Sequence, residues 1–199
     1  MAVTEDETEG MDKHQGKSER TRLSIRMSYA LRHSPDRLGL TMAPDGTVAV
    51  SDLAAALGTD VDTVTGIAAT DSKGRYVLTG EVGPEQRIHA AQGHTIDVDV
   101  PLVALTAADT AGMIFYHGTK TAFLDSIFGQ GLLPRSRQFV HLSTDVDTST
   151  DVANRRDGDS TVLVVDAAAM LADGFTLYRA SNGVILTRTV PTRYLSVLN

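Results

Sequence analysis

The sequence predicts an α+β protein built from two lobes, and three observations support this class. Residues 18–99 follow the order helix, short strand, two helices and a hairpin. Residues 100–199 contain many short apolar runs separated by turn signals such as Asp173-Gly174 and Asn182-Gly183. The hydrophobic content is 42% with no Trp, which predicts an aliphatic core of ordinary size. We therefore expect the second lobe to be built on a curved, largely antiparallel β-sheet.

Residues 1–17 are rich in Glu, Asp, Gly and Lys without apolar periodicity, so we expect a disordered tail. From residue 18, apolar side chains recur at helical spacing: Leu23, Met27, Ala30 and Leu31. Pro35 should end this helix near Ser34, because the residue before a proline avoids helical geometry. Arg32 and His33 are thereby placed at the exit of the helix.

The rest of the first lobe has the order of a winged helix, a fold that commonly docks on nucleic acid. We expect a strand over Val48–Val50, a helix over Asp52–Leu57 with Ser51 as its N-cap, and a second helix to about Ala69 with Thr59 or Asp60 as its N-cap. The hairpin strands are expected at Arg75–Thr79 and Arg87–Ala90.

The second lobe is expected to follow a linker that runs from Asp97 to Gly112. Its strands are predicted at 113–117, 138–142, 162–165, 175–178 and 184–188, and its helices at 120–128, from about 145, and at 167–172. Tyr116-His117-Gly118-Thr119 then ends a strand and opens a helix. Helix N-terminal amides attract anions, and Gly118 lets a ligand approach the backbone closely.

Charge and composition exclude several classes of protein. The net charge is −7, yet between residues 20 and 37 five arginines face only Asp36: Arg20, Arg22, Arg26, Arg32 and Arg37. Such a local cluster suits recognition of a particular phosphate, although for a charge run alone a solvated helix face is the favoured explanation. The absence of Cys excludes disulfides, and no apolar run is long enough for a membrane span. The acidic N-terminus does not look like a secretory signal, so we expect a cytoplasmic protein.

The chemistry-bearing residues favour an anion site. No HExxH, GxSxG, GxGxxG or Walker motif is present, so we expect no metal, no serine triad and no P-loop or Rossmann cofactor site. Cationic and imidazole side chains instead stand at element ends and loops: Arg32, His33, Arg87, His89, Gln92-Gly93-His94 and Arg137. Arg87 and His89 share one face of a strand, so we expect them to address one ligand. Guanidinium forks bind phosphate, and histidine can also move a proton.

Five stretches in register resemble the Tpt1/KptA family of RNA 2′-phosphotransferases across residues 18–198. They are Leu31-Arg32-His33-Ser34-Pro35 with Gly39-Leu40, Ala90-Ala91-Gln92-Gly93-His94, Tyr116-His117-Gly118-Thr119, Val140-His141-Leu142-Ser143, and Ser181-Asn182-Gly183-Val184 with Leu186-Thr187 and Val190-Pro191. The resemblance implies a winged-helix RNA lobe over 18–99 and an NAD-binding ADP-ribosyltransferase-like lobe over 100–199.

The family reaction implied by this resemblance has two steps. An internal RNA 2′-phosphate attacks C1″ of the NAD ribose and expels nicotinamide, after which the ribose 2″-OH attacks that phosphate. The products are RNA with a free 2′-OH and ADP-ribose 1″,2″-cyclic phosphate. NAD is a co-substrate, the expected partner is RNA, and a monomer is expected.

The resemblance also assigns residues. The NAD site is expected to contain His117, Gly118, Thr119, Ser126, Ile127, Gly131, His141, Ser143 and Val184. Gly118's backbone is expected to hold the nicotinamide carboxamide. Arg32, His33 and Arg137 match three members of an Arg-His-Arg-Arg tetrad around the 2′-phosphate, and Arg87, Gln92 and His94 are further candidates for phosphate or RNA binding.

His89 departs from the family pattern, which has Arg at this place, and Ile185 stands where the family usually has Trp. An imidazole cannot offer a bidentate fork and is only partly charged at neutral pH. We therefore expect ADP-ribosyl transfer to be retained and phosphate release to be slowed, unless Arg87 compensates. One alternative is an ADP-ribosyltransferase that caps terminal phosphates of RNA or DNA in a single step. Another is a non-catalytic winged-helix protein that binds nucleic acid.

Overall fold

The computed structural model describes the backbone of residues 5–198 and the side chains from Glu19 onward. The chain divides into two compact units, Met1–Val100 and Pro101–Asn199. Both units mix helices with antiparallel sheets, which confirms the α+β class predicted from the sequence. None of the described helices combines the length and apolar character that a membrane span requires.

The N-terminal unit carries three helices and one small sheet. Its elements are α1 (Glu5–Arg32), a 3₁₀ turn (Asp36–Leu38), β1 (Val48–Ala49), α2 (Val50–Leu57), α3 (Val61–Ala69), β2 (Tyr76–Thr79) and β3 (Arg87–Ala90). The three strands are antiparallel in the order β1-β3-β2. Met27 and Leu31 of α1 are fully buried against Leu53 and Ile88, as their helical spacing predicts. Asp60 caps α3 by accepting from the Thr63 amide at 2.6 Å, as expected.

Two boundaries in this unit differ from the prediction. α1 begins at Glu5, so residues 5–17 continue the helix instead of forming a disordered tail, and residues 1–4 lie outside the described part. A packed helix propagates readily into residues such as Glu and Lys that favour helix without an apolar face. α2 begins at Val50 after an extended Ala49, without a side-chain cap from Ser51. The Val50 amide instead donates to the Gln86 carbonyl at 3.0 Å, which satisfies one of the open helix donors.

The segment predicted as a linker is folded. Val98 and Val100 are buried, and the Asp99 amide donates to the Pro44 carbonyl at 2.8 Å, so residues 98–100 belong to the N-terminal unit. Beyond Pro101 the chain forms β4 (Val103–Ala104) and α4 (Ala107–Thr110), which starts with a capping box between Thr106 and Asp109. Long-range packing of the valines therefore outweighs the loop-like composition.

The C-terminal unit continues with two small sheets covered by short helices. After β4 and α4 come β5 (Phe115–Lys120), a 3₁₀ turn (Thr121–Phe123), α5 (Leu124–Gln130), β6 (Val140–Leu142), α6 (Val146–Ala153), β7 (Ser160–Val165), α7 (Ala167–Ala172), β8 (Leu177–Arg179), β9 (Ile185–Thr187), a 3₁₀ turn (Thr192–Tyr194) and β10 (Leu195–Val197). The sheets have the strand orders β10-β7-β5 and β4-β8-β9-β6 and are antiparallel throughout.

The two sheets of this unit meet at a seam, by which we mean the junction of the edge strands β5 and β6. A single bridge joins them, in which the backbone groups of Tyr116 and Ser143 exchange two hydrogen bonds of 2.9 Å. Phe115, Val140, Leu163 and Leu177 pack in one apolar core beneath both sheets. The single curved sheet predicted from the sequence is therefore divided in two.

β5 is longer than predicted, which changes the setting of its central motif. Its pairing with β7 extends to Lys120 opposite Ser160, and the Lys120 ammonium donates to the Gly158 carbonyl at 2.8 Å and to Ser160 Oγ at 2.7 Å. His117-Gly118-Thr119 consequently lies inside the strand, and α5 starts only at Leu124. The expected corner of a strand end and helix N-terminal amides is not formed.

Candidate functional site

In the N-terminal unit, the turn after β3 holds the end of α1. The Thr95 amide donates to the Arg32 carbonyl at 2.9 Å, and His33 Nδ1 lies 3.0 Å from Thr95 Oγ1. The Arg32 guanidinium donates to Ser28 Oγ, one helical turn earlier, at 2.8 Å. We call Arg32, His33, His94 and Thr95 the Arg32 corner. α1 thus ends where the sequence places Arg32 and His33, and both side chains are anchored there.

The Thr95 hydroxyl couples His33 to the Arg32 carbonyl. Thr95 Oγ1 lies 3.4 Å from that carbonyl, which can only accept, and 3.0 Å from His33 Nδ1. When the hydroxyl donates to the carbonyl, its oxygen accepts from His33, and Nδ1 is the protonated nitrogen of the neutral ring. Nε2 of His33 is then the nitrogen that can take up or give a proton.

His94 is buried beside these groups as a neutral imidazole. Gly93 has φ +91°, a conformation that suits glycine, and this turn brings His94 inside, where it is 2% exposed. Burial lowers the pKa of His94 to about 4, and the charges of Arg32, His89 and His33 act in the same direction. His94 Nε2 is buried without a hydrogen-bond partner among the described residues. Buried polar atoms normally have one, so this atom points to a ligand or water in this place.

Arg87 and His89 each donate to a backbone carbonyl, and the expectation that they address one ligand stays a prediction. The Arg87 guanidinium donates to Thr47 Oγ1 at 2.7 Å and to the Thr47 carbonyl at 3.0 Å. His89 is 3% exposed, and its Nδ1 donates to the Ala90 carbonyl at 3.1 Å. Gln92 lies half-buried in the turn before Gly93.

In the C-terminal unit, His117 lies at the seam. Its Nδ1 donates to the His141 carbonyl at 3.0 Å, across from β5 to β6. Burial lowers the pKa of His117, and the hydrogen bond to His141 partly opposes this. The ring is therefore neutral at pH 7 with its proton on Nδ1, and Nε2 offers a lone pair to a hydroxyl donor.

Gly118 is required by packing rather than by a ligand on its bare face. A Cβ on Gly118 would lie 1.8 Å from the Ser149 carbonyl oxygen of α6, so no other residue fits. The strand pairing also fixes the direction in which the backbone groups of Gly118 point. Tyr116 gives its N–H and C=O to Ser143, and backbone groups two residues apart in a strand point to the same side. The N–H and C=O of Gly118 therefore face the open part of the seam.

The other residues expected at the NAD site are distributed around this seam. Thr119 lies half-buried on β5, Ser143 directly follows β6, and Val184 is half-buried just after the Asn182-Gly183 turn. Ser126 Oγ accepts from Gln130 Nε2 at 3.1 Å on α5.

Ile127 and Gly131 have packing roles in the structure. Ile127 is 6% exposed and belongs to the core. A Cβ on Gly131 would lie 2.4 Å from the Val190 carbonyl oxygen, and the φ of Gly131 is +83°.

Arg137 belongs to the C-terminal unit, in the exposed loop before β6, where its amide donates to the Pro134 carbonyl at 3.1 Å. Partial desolvation, and then the like charges of Arg155 and Arg156, lower the pKa of its guanidinium. An arginine nevertheless remains charged at neutral pH. The loop therefore presents a cation.

Sequence reasoning missed two residues that build the Arg32 corner. Ser28 precedes Arg32 by four positions on α1. This spacing brings two helical side chains together, so their contact could have been predicted from the sequence. Thr95 directly follows His94, but its bonds to α1 join residues more than 60 positions apart in the chain, and no local pattern announces them.

One groove of the N-terminal unit contains none of the candidate site residues. A groove of about 780 Å³ lies between α3 and the β2–β3 hairpin and is lined by apolar residues such as Val61, Leu78, Val82 and Pro84. Asp62 also lines it, and none of the residues singled out above does. Within residues 5–198, no three His, Asp or Glu residues are grouped so that they could hold a metal ion.

Comparison with known proteins identifies relatives along most of the chain. The family described as RNA 2′-phosphotransferase, Tpt1/KptA family, matches residues 18–189. A probable RNA 2′-phosphotransferase of Rhizobium leguminosarum bv. trifolii is 40% identical over 180 residues, which is 88% of this chain and 93% of the relative. A protein of the same description from Burkholderia pseudomallei is 38% identical over 180 residues, covering 88% of this chain and 94% of the relative.

Proposed function

This chain belongs to the Tpt1/KptA family of RNA 2′-phosphotransferases, and from that premise we propose that it removes an internal 2′-phosphate from RNA with NAD as co-substrate. The observation that carries the proposal is the Arg32 corner. A guanidinium, an imidazole with a defined proton and a buried unpartnered imidazole nitrogen gather there on one helix end and one turn.

The N-terminal unit is proposed to bind the phosphate group. Its element order and the sheet order β1-β3-β2 support a winged-helix lobe. Arg32 offers charge-assisted N–H donors, which bind phosphate oxygens strongly. His33 adds either a donor or a proton acceptor through Nε2. The residues of the apolar groove include Asp62 but no Arg or Lys, so we propose that the RNA phosphate binds at the corner and not in that groove.

The C-terminal unit is proposed to bind NAD as an ADP-ribosyltransferase-like lobe. The open backbone N–H and C=O of Gly118 match the complementary groups of a carboxamide such as that of nicotinamide. The neutral His117 offers Nε2 to a ribose hydroxyl. A hydrogen-bonded sugar and carboxamide leave C1″ free to react at a defined position, and positioning of this kind supplies much of the rate of a substitution.

The proposed reaction has two substitutions. A 2′-phosphate oxygen forms a bond to C1″ while the bond from C1″ to nicotinamide breaks and its electron pair stays on nicotinamide. The 2″-OH then attacks phosphorus and loses its proton, and the RNA 2′-oxygen leaves and becomes a hydroxyl. Arg32 and Arg137 are proposed to stabilise the phosphate charge, and His33 is proposed to move a proton through Nε2.

His89 is proposed to make the second substitution slow. The structure buries its ring and commits Nδ1 to the Ala90 carbonyl, so it supplies at most one N–H donor at a place where an arginine would supply several. Arg87 does not replace the missing fork, because Thr47 occupies two of its donors. Loss of one such donor costs roughly a hundredfold in rate.

Product analysis tests the function. Incubation of an RNA oligonucleotide carrying one internal 2′-phosphate with NAD should give nicotinamide in a fast phase, an ADP-ribosylated RNA that accumulates, and 2′-OH RNA in a slow phase. An Arg32→Ala variant should give none of these products. Rapid release of 2′-OH RNA without an intermediate would refute the slow second step, and unchanged RNA would refute the function.

A terminal-phosphate ADP-ribosyltransferase is the second candidate, and the buried His89 is the observation that favours it. Such an enzyme needs only the first substitution. Competition between an oligonucleotide with a 5′- or 3′-terminal phosphate and one with an internal 2′-phosphate decides between them, because the true acceptor is modified faster.

A further inference from the structure

Three planar side chains of the C-terminal unit lie on the same sheet face as His141, namely those of Phe139, Tyr178 and Arg188. Cross-strand pairing places His141 opposite Leu186, and Leu186 opposite Tyr178, in one row across β6, β9 and β8. Phe139 and Arg188 stand one residue beyond β6 and β9, and Phe139 contacts Tyr178, which belongs to the row of His141. The opposite face carries Val140, Leu142, Ile185 and Leu177, which form the core.

These side chains are stacked on one another. The Arg188 guanidinium carbon lies 4.5 Å from the centre of the Phe139 ring, and the Phe139 and Tyr178 rings meet edge to face at 5.8 Å with 70° between their planes. Arg188 is exposed, while the two rings are half-buried. Within the part of the chain that the structure describes, Arg188 forms no ion pair. We call Phe139, Tyr178 and Arg188 the aromatic pad.

We propose that the aromatic pad stacks an unpaired base of the RNA acceptor next to a phosphate, because Phe139 follows Arg137, a proposed phosphate ligand, by two residues. Proteins bind single-stranded RNA by stacking its bases on aromatic rings and guanidinium planes, and the positive charge also favours the anionic backbone. This inference rests on the proposed function, since it extends the acceptor from a phosphate to a phosphate with a neighbouring base.

The adenine of NAD is the competing occupant, because His141, which is also expected at the NAD site, shares the face of the pad. The residues expected at the NAD site on α5 favour RNA instead. Three residues expected at the NAD site lie on α5 or directly after it: Ser126, Ile127 and Gly131. Ile127 packs into the core with Val140 and Leu142, whose side chains leave β6 on the face opposite to Phe139 and His141. The pad is therefore on the other face of this sheet from the core side on which Ile127 packs.

A binding experiment on the full chain tests the pad. The probes are a fluorescent single-stranded RNA with one internal 2′-phosphate and the same RNA with an abasic site beside that phosphate. Arg188→Ala should weaken binding of the intact RNA about tenfold, and the abasic RNA should show a much smaller difference between the wild-type chain and this variant. The dissociation constant of NAD, measured by calorimetry, should not change.

Arg193→Ala is the matched control. Arg193 is also exposed and also lies over aromatic rings, 4.6 Å from Tyr194, but it pairs with Asp173 at 3.3 Å. This variant should bind the RNA as the wild-type chain does. Arg188→Lys keeps the charge without the plane, and full RNA affinity in this variant would overturn stacking.

The remaining outcomes distinguish failure of the aromatic pad from failure of the proposed function. Equal RNA affinity of wild type and Arg188→Ala, or a loss of NAD affinity instead, would overturn the pad. Base-dependent RNA binding without any product would refute the proposed function and leave the pad standing. No RNA binding by the wild-type chain would overturn both.

Discussion

The two candidate regions are built from different kinds of interaction. In the Arg32 corner, side chains are held by hydrogen bonds to a hydroxyl and a carbonyl, and a buried imidazole is kept neutral by its surroundings. At the seam, backbone contacts dominate, because α6 packs directly on Gly118 and His117 reaches the carbonyl of the neighbouring strand. The corner therefore depends on charge and protonation, whereas the seam depends on volume.

This difference predicts two patterns of failure. A substitution in the corner should change activity or its pH dependence while the chain stays folded. A substitution that adds volume at the seam should destabilise the C-terminal unit before chemistry can be measured. The following three variants test the contrast, from the largest expected effect to the smallest.

Gly118→Ala should be the most damaging of the three. The new methyl group would meet the Ser149 carbonyl oxygen at 1.8 Å, and α6 can yield only by leaving its place on β5. We expect a loss of about 3 kcal/mol or more in the free energy of unfolding. Thermal unfolding should occur roughly 10–20 °C lower, measured by circular dichroism.

Gly129→Ala is the control for this variant. Gly129 lies in α5, and no atom lies within 4 Å of the place that an added methyl group would take, so alanine should be neutral or slightly stabilising there. If Gly118→Ala unfolds at the wild-type temperature and retains NAD binding, packing does not define the seam and the contrast fails.

His94→Gln should change how stability depends on pH. The unfolded chain binds a proton on His94 below about pH 6.5, whereas the folded chain resists it until about pH 4. The free energy of unfolding must therefore fall as the pH is lowered through this window, by at most about 3 kcal/mol from this group. Glutamine does not titrate, so the variant should show a flatter decline in urea unfolding between pH 7 and 4.

The slope, not the stability at pH 7, is the diagnostic quantity here. His117 also has a lowered pKa and contributes a decline of the same sign, so the variant should keep part of the slope. Parallel pH profiles of the wild-type chain and His94→Gln would show that His94 is not a buried neutral group.

Thr95→Val should have the smallest effect, about a fivefold loss in the rate of reaction with 2′-phosphorylated RNA. Valine keeps the backbone bond from residue 95 to Arg32 but removes the hydroxyl that fixes the proton on His33 Nδ1. Loss of one hydrogen bond of this kind costs about 1 kcal/mol. Nitrogen NMR of His33 should then show both neutral tautomers, and the pH–rate profile should shift.

Thr95→Ser supplies the matching control, because serine retains the hydroxyl. Its rate and its His33 signals should resemble those of the wild-type chain. A rate loss in Thr95→Val with unchanged His33 signals would mean that Thr95 acts through packing and not through the tautomer.

Local patterns predicted the elements well where neighbours in sequence decide the structure. The limits of β3 at Arg87–Ala90 and of α7 at Ala167–Ala172, the Asp60 cap and the exit of α1 at Arg32 all follow from nearby residues. The extent of β5, the folded segment at 98–110 and the start of α2 depend instead on partners such as Ser160, Pro44 and Gln86. Those partners are distant in sequence, so periodicity could not reveal them.

The candidate site shows the same division. Residue type and predicted position at element ends singled out Arg32, His33, His94 and His117 as candidates, although His117 lies inside β5. The seam between two sheets, the packing of α6 on Gly118 and the bonds of Thr95 arise from pairing between strands and turns that no single stretch encodes. The bonds of the Arg87 guanidinium to Thr47 also join residues that are distant in sequence, while a common ligand for Arg87 and His89 stays a prediction.

Helix α1 contributes residues both to the core of the N-terminal unit and to the Arg32 corner. Leu31 is completely shielded from water, and Arg32 is its immediate neighbour on the final turn of α1. Because Met27, Leu31 and Arg32 belong to the same helix, a displacement of either apolar residue should also displace the Arg32 guanidinium. Substitutions in this core should therefore change the turnover rate as well as the melting temperature. Second-site substitutions that compensate for a weakened Arg32 are expected among apolar core residues that do not contact substrate.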